Sequence, residues 1–277
     1  MGNSLRSRGS GVITAARVAS RRAALAISPT LRRLTEEQSA NRQQIVRLKA
    51  DLASAQLWAP YGGDNYQYVF VVTYGRSGST LLQGVLNSID GYEIRGENRE
   101  ALFHLYRYHS TLESECQKNR RSEQLTPRDA WFGIDKYDPE LAREKLRQLV
   151  TETVFQPSAG TRITGFKEIR WWHKEWNEYF NFLIDTFPNA RFVINSRRFE
   201  DISKSKWWSK MEDPRARMDF FSERLAQIEE KLGDRAYHVN YDDYIANPNR
   251  LKGLFEWLGE PFDRARLDSV LALKHSS

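Results

Sequence analysis

Residues Tyr68–Asn87 read YVFVVTYGRSGSTLLQGVLN, and the reading of this stretch decides the fold. Val69–Val72 is a short run of β-branched and aromatic residues, the composition of a buried strand. Gly75–Thr80 follows as a turn of small residues in which Arg76 is the one long side chain. Leu81, Leu82, Val85 and Leu86 then recur at helical spacing, so the turn opens a helix. Strand, glycine turn and helix N-terminus together make an anion site. N–H groups without partners inside the helix point into the turn, and the helix dipole favours negative charge there. Gly75 and Gly78 let the main chain wrap a tetrahedral oxyanion. This is not a Walker A loop, which needs four residues between its glycines and then Lys followed by Ser or Thr. Here two residues separate Gly75 from Gly78 and no Lys follows.

Further strands are expected at Tyr92–Arg95, Arg162–Ile169, Ala190–Ser196 and Ala236–Tyr241. Helical patterns run through Leu102–Tyr106, Pro139–Val154, Glu175–Phe187, Pro214–Leu232 and Pro248–Leu258, Arg197–Trp208 reads as a turn and helix, and a polar surface loop or lid covers residues 117–138. Strands alternating with helices predict an α/β fold, a parallel central sheet covered by helices on both faces. In such a sheet the ligand lies beyond the carboxyl ends of the strands.

Charge divides the 277-residue chain. The net charge is +6, but the first 35 residues hold seven Arg and no Lys, Asp or Glu, so the remaining residues carry +6 minus +7, or −1. A nearly neutral body argues against a nucleic-acid-binding face. Residues 1–30 read as a basic, flexible tail, compatible with an amphipathic helix on an anionic membrane surface or with a transit peptide. MGNSLR lacks the Ser or Thr at position 6 that myristoylation favours. Residues 31–60 hold a helical extension: Leu31, Leu34, Gln38, Asn41, Ile45, Leu48, Leu52 and Ala55 form a heptad-like seam that suits a homodimer or packing on its own domain. Pro60, Gly62 and Gly63 end it, leaving 61–277 as the main domain. The single cysteine, Cys116, excludes an internal disulfide and suits a reducing compartment. No run of about 18 apolar residues suggests a transmembrane helix. Neither the five His nor Cys116 shows metal-ligand spacing, so no metal is expected.

A second anion site is expected where the strand Ala190–Ser196 ends. Arg197 at its carboxyl end projects toward the edge that holds the first turn, and Ser205 would lie two helical turns into the next helix. A guanidinium and a hydroxyl presented together suit a phosphate monoester.

TYGRSGSTLL followed by an Arg-x7-Ser segment resembles the sulfotransferase family, in its carbohydrate and bacterial branches. The similarity runs in order from about Tyr68 to Phe262 and includes Tyr241-Asp242-Asp243-Tyr244. The resemblance implies a P-loop-like sulfotransferase fold and the co-substrate 3′-phosphoadenosine-5′-phosphosulfate. It assigns Gly75, Arg76, Ser77, Gly78, Ser79 and Thr80 to the 5′-phosphosulfate, and Arg197 and Ser205 to the 3′-phosphate. Related second motifs read Arg-Asp-Pro or Arg-Asn-Pro, whereas Arg198-Phe199 stands here, so Arg198 competes with Arg197 for the phosphate. It further implies a carboxylate base, which Glu97 supplies after the second strand, with Glu100 and His104 as rivals on one helical face if the helix starts early. Arg76 and Lys167 would stabilise charge on the leaving oxygen. Trp171, Trp172, His173, Trp207 and Trp208 are expected either to stack on acceptor rings or to pack in the core.

The expected function is sulfuryl transfer to a hydroxyl, with a glycan or glycolipid as acceptor. A P-loop-like phosphotransferase and a non-catalytic nucleotide-binding scaffold are the alternatives. Without an anchor or disulfides, the expected setting is the cytoplasm of a bacterium, peripheral to the membrane.

Overall fold

The computed structural model describes residues 66–120, 125–205 and 207–272. The expectations for the basic tail, the seamed helix and its end at Pro60–Gly63 lie outside the described residues.

Five strands form one parallel sheet: β1 (Gln67–Val72), β2 (Tyr92–Arg95), β3 (Ile163–Glu168), β4 (Arg191–Ser196) and β5 (Ala236–Asn240). Their spatial order is β2-β3-β1-β4-β5. The chain leaves β1 toward β2 on one side and leaves β4 toward β5 on the other. The carboxyl ends of these neighbouring strands are therefore a topological switch point, where open α/β sheets bind ligands. Val71 and Val72 stand in register with Lys167 and Glu168 on β3, and Val72 with Ile194 on β4. The last residues of β3, β1 and β4 thus reach one edge together.

Nine α-helices complete the described domain: α1 (Ser79–Asn87), α2 (Ala101–Asn119), α3 (Pro139–Val150), α4 (Trp176–Thr186), α5 (Phe199–Ile202), α6 (Pro214–Leu232), α7 (Tyr241–Ala246), α8 (Lys252–Leu258) and α9 (Arg264–Leu271). The alternating side chains of β1 build two cores. Tyr68, Phe70 and Val72 pack with Phe166, Phe180 and Phe192 beneath α2, α3, α4 and α6. Val69 and Val71 face the other way, against Leu82 and Val85 of α1 and Leu254 and Phe255 of α8. Burial on both faces explains why β1 reads as a continuous apolar run. At the sheet edge the buried Tyr74 hydroxyl bonds the Arg197 backbone, a contact that shapes the site.

Several boundaries differ from expectation, each for a local reason. The segment 117–138 is not all loop: α2 continues to Asn119, and Ile134–Lys136 forms a 3-10 turn. The helix begun at Pro139 is α-helical only to Val150, then widens into a π-turn over Thr151–Phe155, with Gln156 at φ 42 ending it. Arg197–Trp208 is not one helix. Among its described residues only the four of α5 are α-helical, Ser205 N bonds the Ile202 carbonyl in a turn, and Trp208 opens a 3-10 turn. Trp208 imposes this break, because its buried indole is drawn onto the first turn, where Nε1 donates to Gly75 O at 3.1 Å. The Pro248–Leu258 helix opens with a 3-10 turn over Pro248–Leu251. Helix α7 was absent from the sequence pattern; the Asn240 side chain caps it by accepting from Asp242 N.

Candidate active site

The first turn leaves β1 through Thr73 and Tyr74 and enters α1 at Ser79. Arg76 (φ 71) and Gly78 (φ 80) both adopt left-handed backbone. Glycine does so freely; an arginine there is held by its surroundings. The holding groups are visible. Thr73 Oγ1 donates to Asn195 O at 2.7 Å and lies 2.6 Å from Ser77 Oγ, while Asn195 Nδ2 donates to Ser77 O at 3.0 Å. These bonds staple the turn to β4 from beneath. Above, a Cβ at Gly78 would lie 2.0 Å from Cδ2 of the Tyr241 ring, so only glycine fits. Helix α1 has no side-chain N-cap, and its first recorded backbone bonds are from Leu81 and Leu82 to Gly78 O. Among the described residues, no acceptor engages the N–H groups of Ser77, Gly78, Ser79 or Thr80. These N–H groups stand at the opening of α1, the arrangement anion binding uses, and the Arg76 side chain is exposed.

The second element adjoins the first. Tyr74 OH donates to Arg197 O at 2.9 Å and accepts from Arg197 N at 2.8 Å, fixing the exit of β4. Burial pushes the Tyr74 phenol up to about 12, so it stays protonated and can make both bonds. Arg197 Nη1 donates to Arg76 O at 3.3 Å, a direct tie between the two elements. Its guanidinium carbon lies 4.4 Å above the Tyr241 ring, and Nε is 3.8 Å from Asp242 Oδ1. Two buried atoms here lack a hydrogen-bond partner: Arg197 Nε and Ser205 Oγ. Buried polar atoms are nearly always satisfied, so two such atoms on the segment leaving β4 are unusual. Arg198 turns away. Its backbone N donates to Asp242 Oδ2 at 2.7 Å and its side chain, 67% exposed, lies near Asp201 and Asp242.

One strand across the sheet, Lys167 is only 5% exposed, not a solvated strand-end lysine. Its Nζ donates to Glu97 Oε1 at 2.7 Å. Arg170 Nη1 reaches Glu97 Oε2 at 3.3 Å and buried Glu168 Oε1 at 3.0 Å. Glu97, Lys167, Arg170 and Glu168 therefore form one ionic network at the ends of β2 and β3.

The expectation that Glu97, Glu100 and His104 share a helical face fails. Arg99 (φ 54) and Glu100 (φ 67) are left-handed, and α2 begins only at Ala101. Asn98 Oδ1 accepts from Ala101 N, and Glu168 Oε2 from Glu100 N, which fixes the kink. Glu100 instead lies 3.6 Å from His173 Nε2, and His104 is exposed to solvent. His173 stacks on Phe103 with ring centroids 3.4 Å apart, and burial lowers its pKa.

Of the aromatic candidates, Trp171 and Trp208 are core residues, 1% and 0% exposed, and cannot stack on a ligand. Trp172 is half-buried and stacked on Phe221 with centroids 4.1 Å apart, while Trp207 is exposed and covers Gly75, whose Cβ would meet its ring at 3.2 Å. Tyr74, Asn195, Asp242, Glu168 and Arg170 carry site contacts that the sequence did not single out. Tyr74 lies inside TYGRSGSTLL, Glu168 and Arg170 flank Lys167 in Gly165–Arg170, and Asp242 lies inside the YDDY stretch; Asn195 alone of the five stood in no motif, within the plain strand Ala190–Ser196. Cys116 is buried far along α2, with Sγ 3.6 Å from Tyr137 O.

Among the described residues, no group of three or more His, Cys, Asp or Glu is placed to hold a metal, and no helix is long and apolar enough to cross a membrane.

The fold and this edge define an α/β protein with two candidate anion-binding elements meeting at the switch point of a parallel sheet. A model described as "Sulfotransferase family" matches residues 68–264, and the chain belongs to that family. Its members are transferases that draw the sulfuryl group from a donor co-substrate. Similar solved structures include a sulfotransferase domain from the olefin synthase of Synechococcus PCC 7002, at 21% identity and TM-score 0.45, covering 73% of this chain and 76% of that one. A sulfotransferase from Mycobacterium avium follows at 14% identity and TM-score 0.43, covering 79% and 71%. Another from Alicyclobacillus acidocaldarius has 13% identity and TM-score 0.40, covering 75% and 96%. Among curated proteins, none matches the chain.

Proposed function

We propose that this protein transfers a sulfuryl group from 3′-phosphoadenosine-5′-phosphosulfate to a hydroxyl of a carbohydrate or glycoconjugate. The observation that carries the reading is the pairing of two anion elements on adjacent strands, joined by the Arg197 Nη1 bond to Arg76 O. One element alone would suit any phosphate; two, this close, suit a nucleotide charged at both its 3′ and 5′ positions. In this assignment Gly75, Arg76, Ser77, Gly78, Ser79 and Thr80 hold the 5′-phosphosulfate. Arg197 and Ser205 hold the 3′-phosphate, using the two buried atoms that lack partners.

Glu97 takes the proton of the acceptor hydroxyl. The acceptor oxygen then forms a bond to sulfur while the bond from sulfur to the bridging phosphate oxygen breaks, and the electron pair leaves with the nucleotide 5′-phosphate. Arg76 and Lys167 stabilise that developing charge. The 2.7 Å contact between Lys167 and Glu97 supports placing base and cation beside each other. General base catalysis contributes roughly 10²–10⁴ in rate, with oriented cations adding to it.

The test is nucleotide discrimination. Arg197→Ala should weaken adenosine 3′,5′-bisphosphate binding at least about tenfold, as loss of a charge-assisted bidentate contact does. Adenosine 5′-monophosphate should bind that variant nearly as before; equal losses for both would refute the assignment.

A further inference from the structure

We infer that Glu168 is a positioning residue for sulfuryl transfer: without touching substrate, it anchors Arg170 and the backbone at Glu100, and so aims the Glu97 carboxylate and balances the cations beside it. The inference rests on the reading of Glu97 as the base and goes beyond it to the buried residue that base depends on.

Glu168 ends β3 and stands in register with Val72, the last residue of β1 before the first turn. Neighbouring strands lie about 4.8 Å apart, so the network adjoins the donor element. The Glu168 side chain is only 3% exposed. A carboxylate taken out of water is costly unless it is paired, and an apolar side chain would pack at this strand end without that cost. Its partners show what the charge does. Oε1 accepts from Ile169 N at 2.8 Å and from Arg170 Nη1 at 3.0 Å, and Oε2 accepts from Glu100 N at 3.2 Å. The same Arg170 Nη1 donates to Glu97 Oε2 at 3.3 Å. One guanidinium nitrogen therefore ties the base to the buried carboxylate. Glu168 grips the segment that carries the base twice, by its backbone at Glu100 and through Arg170 at the Glu97 side chain. Arg99 and Glu100 are left-handed, a conformation that needs such support.

Charge gives the second half of the role. Glu97 Oε1 meets Lys167 Nζ at 2.7 Å while Oε2 meets Arg170, so the base alone would face two cations. An excess of positive charge disfavours protonation of a carboxylate, the step a base must perform. Glu168 supplies the second anion, and the four side chains together are neutral. The neighbouring titratable groups are Glu100 and His173, 3.6 Å apart, and Tyr179, which burial keeps protonated.

The experiment follows transfer from the labelled donor against pH in Glu168→Gln, Arg170→Gln and Arg170→Lys, and in Glu97→Gln with and without Glu168→Gln. Glu168→Gln should lose at least about tenfold in kcat, with acceptor KM and adenosine 3′,5′-bisphosphate affinity within about twofold. Removing this anion should move the acid limb of kcat/KM to lower pH, and removing the cation in Arg170→Gln should move it to higher pH, each by about half a pH unit or more. A side chain that only holds the fold would not produce opposite shifts. Arg170→Lys keeps the charge and should restore the wild-type limb and part of kcat. In the Glu97→Gln background, adding Glu168→Gln should lower kcat by no more than about twofold, because the two residues act as one unit. Arg170 is 38% exposed, so its variants read the same link even where Glu168→Gln fails to fold. Unchanged kcat, limbs that stay in place or move in one direction, or independent losses in the double variant overturn the proposal while sparing the sulfotransfer reading. Wild-type turnover by Glu97→Gln alone would instead remove the base assignment, and the proposal with it.

Discussion

Replacing Gly78 with Ala puts a methyl group where the Tyr241 ring stands. Two costs add. Gly78 has φ 80 and ψ 9, and an L-residue in that left-handed region costs about 1–2 kcal/mol. The new Cβ would lie 2.0 Å from Cδ2, 2.3 Å from Cε2 and 2.8 Å from Cγ of Tyr241, so the ring must move, at the roughly 1–3 kcal/mol typical of overpacking. Moving it also strips the support from Arg197, whose guanidinium carbon sits 4.4 Å over the same ring, a contact worth about 0.5–1 kcal/mol. The sum, about 2–6 kcal/mol, corresponds to a Tm lower by about 5–20 °C for a domain of this size. Because turn and arginine share the ring, affinity for adenosine 3′,5′-bisphosphate should fall together with Tm. Thermal unfolding and titration calorimetry read the two effects separately. Gly96→Ala is the control, since nothing lies within 4 Å of its added methyl, and its Tm should stay at the wild-type value. A Gly78→Ala protein with wild-type Tm and wild-type affinity would refute the claim that Tyr241 braces both elements.

Three other perturbations test separate parts of the account. Trp208→Phe removes the donor to Gly75 O inside the core and should cost about 1–3 kcal/mol, the penalty for a buried carbonyl left unsatisfied, measured by denaturant unfolding. Lys167→Met leaves Glu97 paired with Arg170 alone; turnover should fall at least about tenfold while bisphosphate affinity changes little, in steady-state kinetics set against calorimetry. His109 is 3% exposed, bonded to Tyr137 OH at 2.8 Å and flanked by Glu113 and Arg143, and burial lowers its pKa below the ordinary 6.5. The unfolded chain then binds the proton more readily, so this contribution to stability is complete above pH 6.5 and is lost as pH falls through the lower folded value. His109→Gln should therefore flatten the decline of Tm between pH 6.5 and 5.

The framework of the fold was legible because its signals are local. Val69–Val72 is apolar on both faces, and β2 and α6 have the bounds expected from Tyr92–Arg95 and Pro214–Leu232. Helix α6 carries its own punctuation: Pro214 in the first turn, Asp213 capping Ala216 N, and Gly233 at the end. The errors fall where distant contacts overrule local pattern. Arg197–Trp208 has helical spacing, but burying Trp208 against Gly75 breaks the helix after Ile202. Glu97, Glu100 and His104 are spaced for one face, yet a hydrogen bond from Glu100 N to Glu168, on another strand, keeps the helix from starting early. The candidate donor residues were legible as motifs. Their braces were not: Tyr74, Asn195 and Asp242 act across the sheet edge, and no spacing along the chain encodes such contacts.

The central claim is that the ionic network around Glu97 serves sulfuryl transfer, and one measurement addresses it directly. Label transfer from 3′-phosphoadenosine-5′-phosphosulfate to a glycan panel should be followed for wild type and Glu97→Gln, with adenosine 3′,5′-bisphosphate affinity measured in parallel. The account predicts transfer to a hydroxyl acceptor by wild type, a loss of roughly 10²–10⁴ in kcat for the variant, and donor-site affinity within about twofold. Wild-type turnover by Glu97→Gln would contradict it.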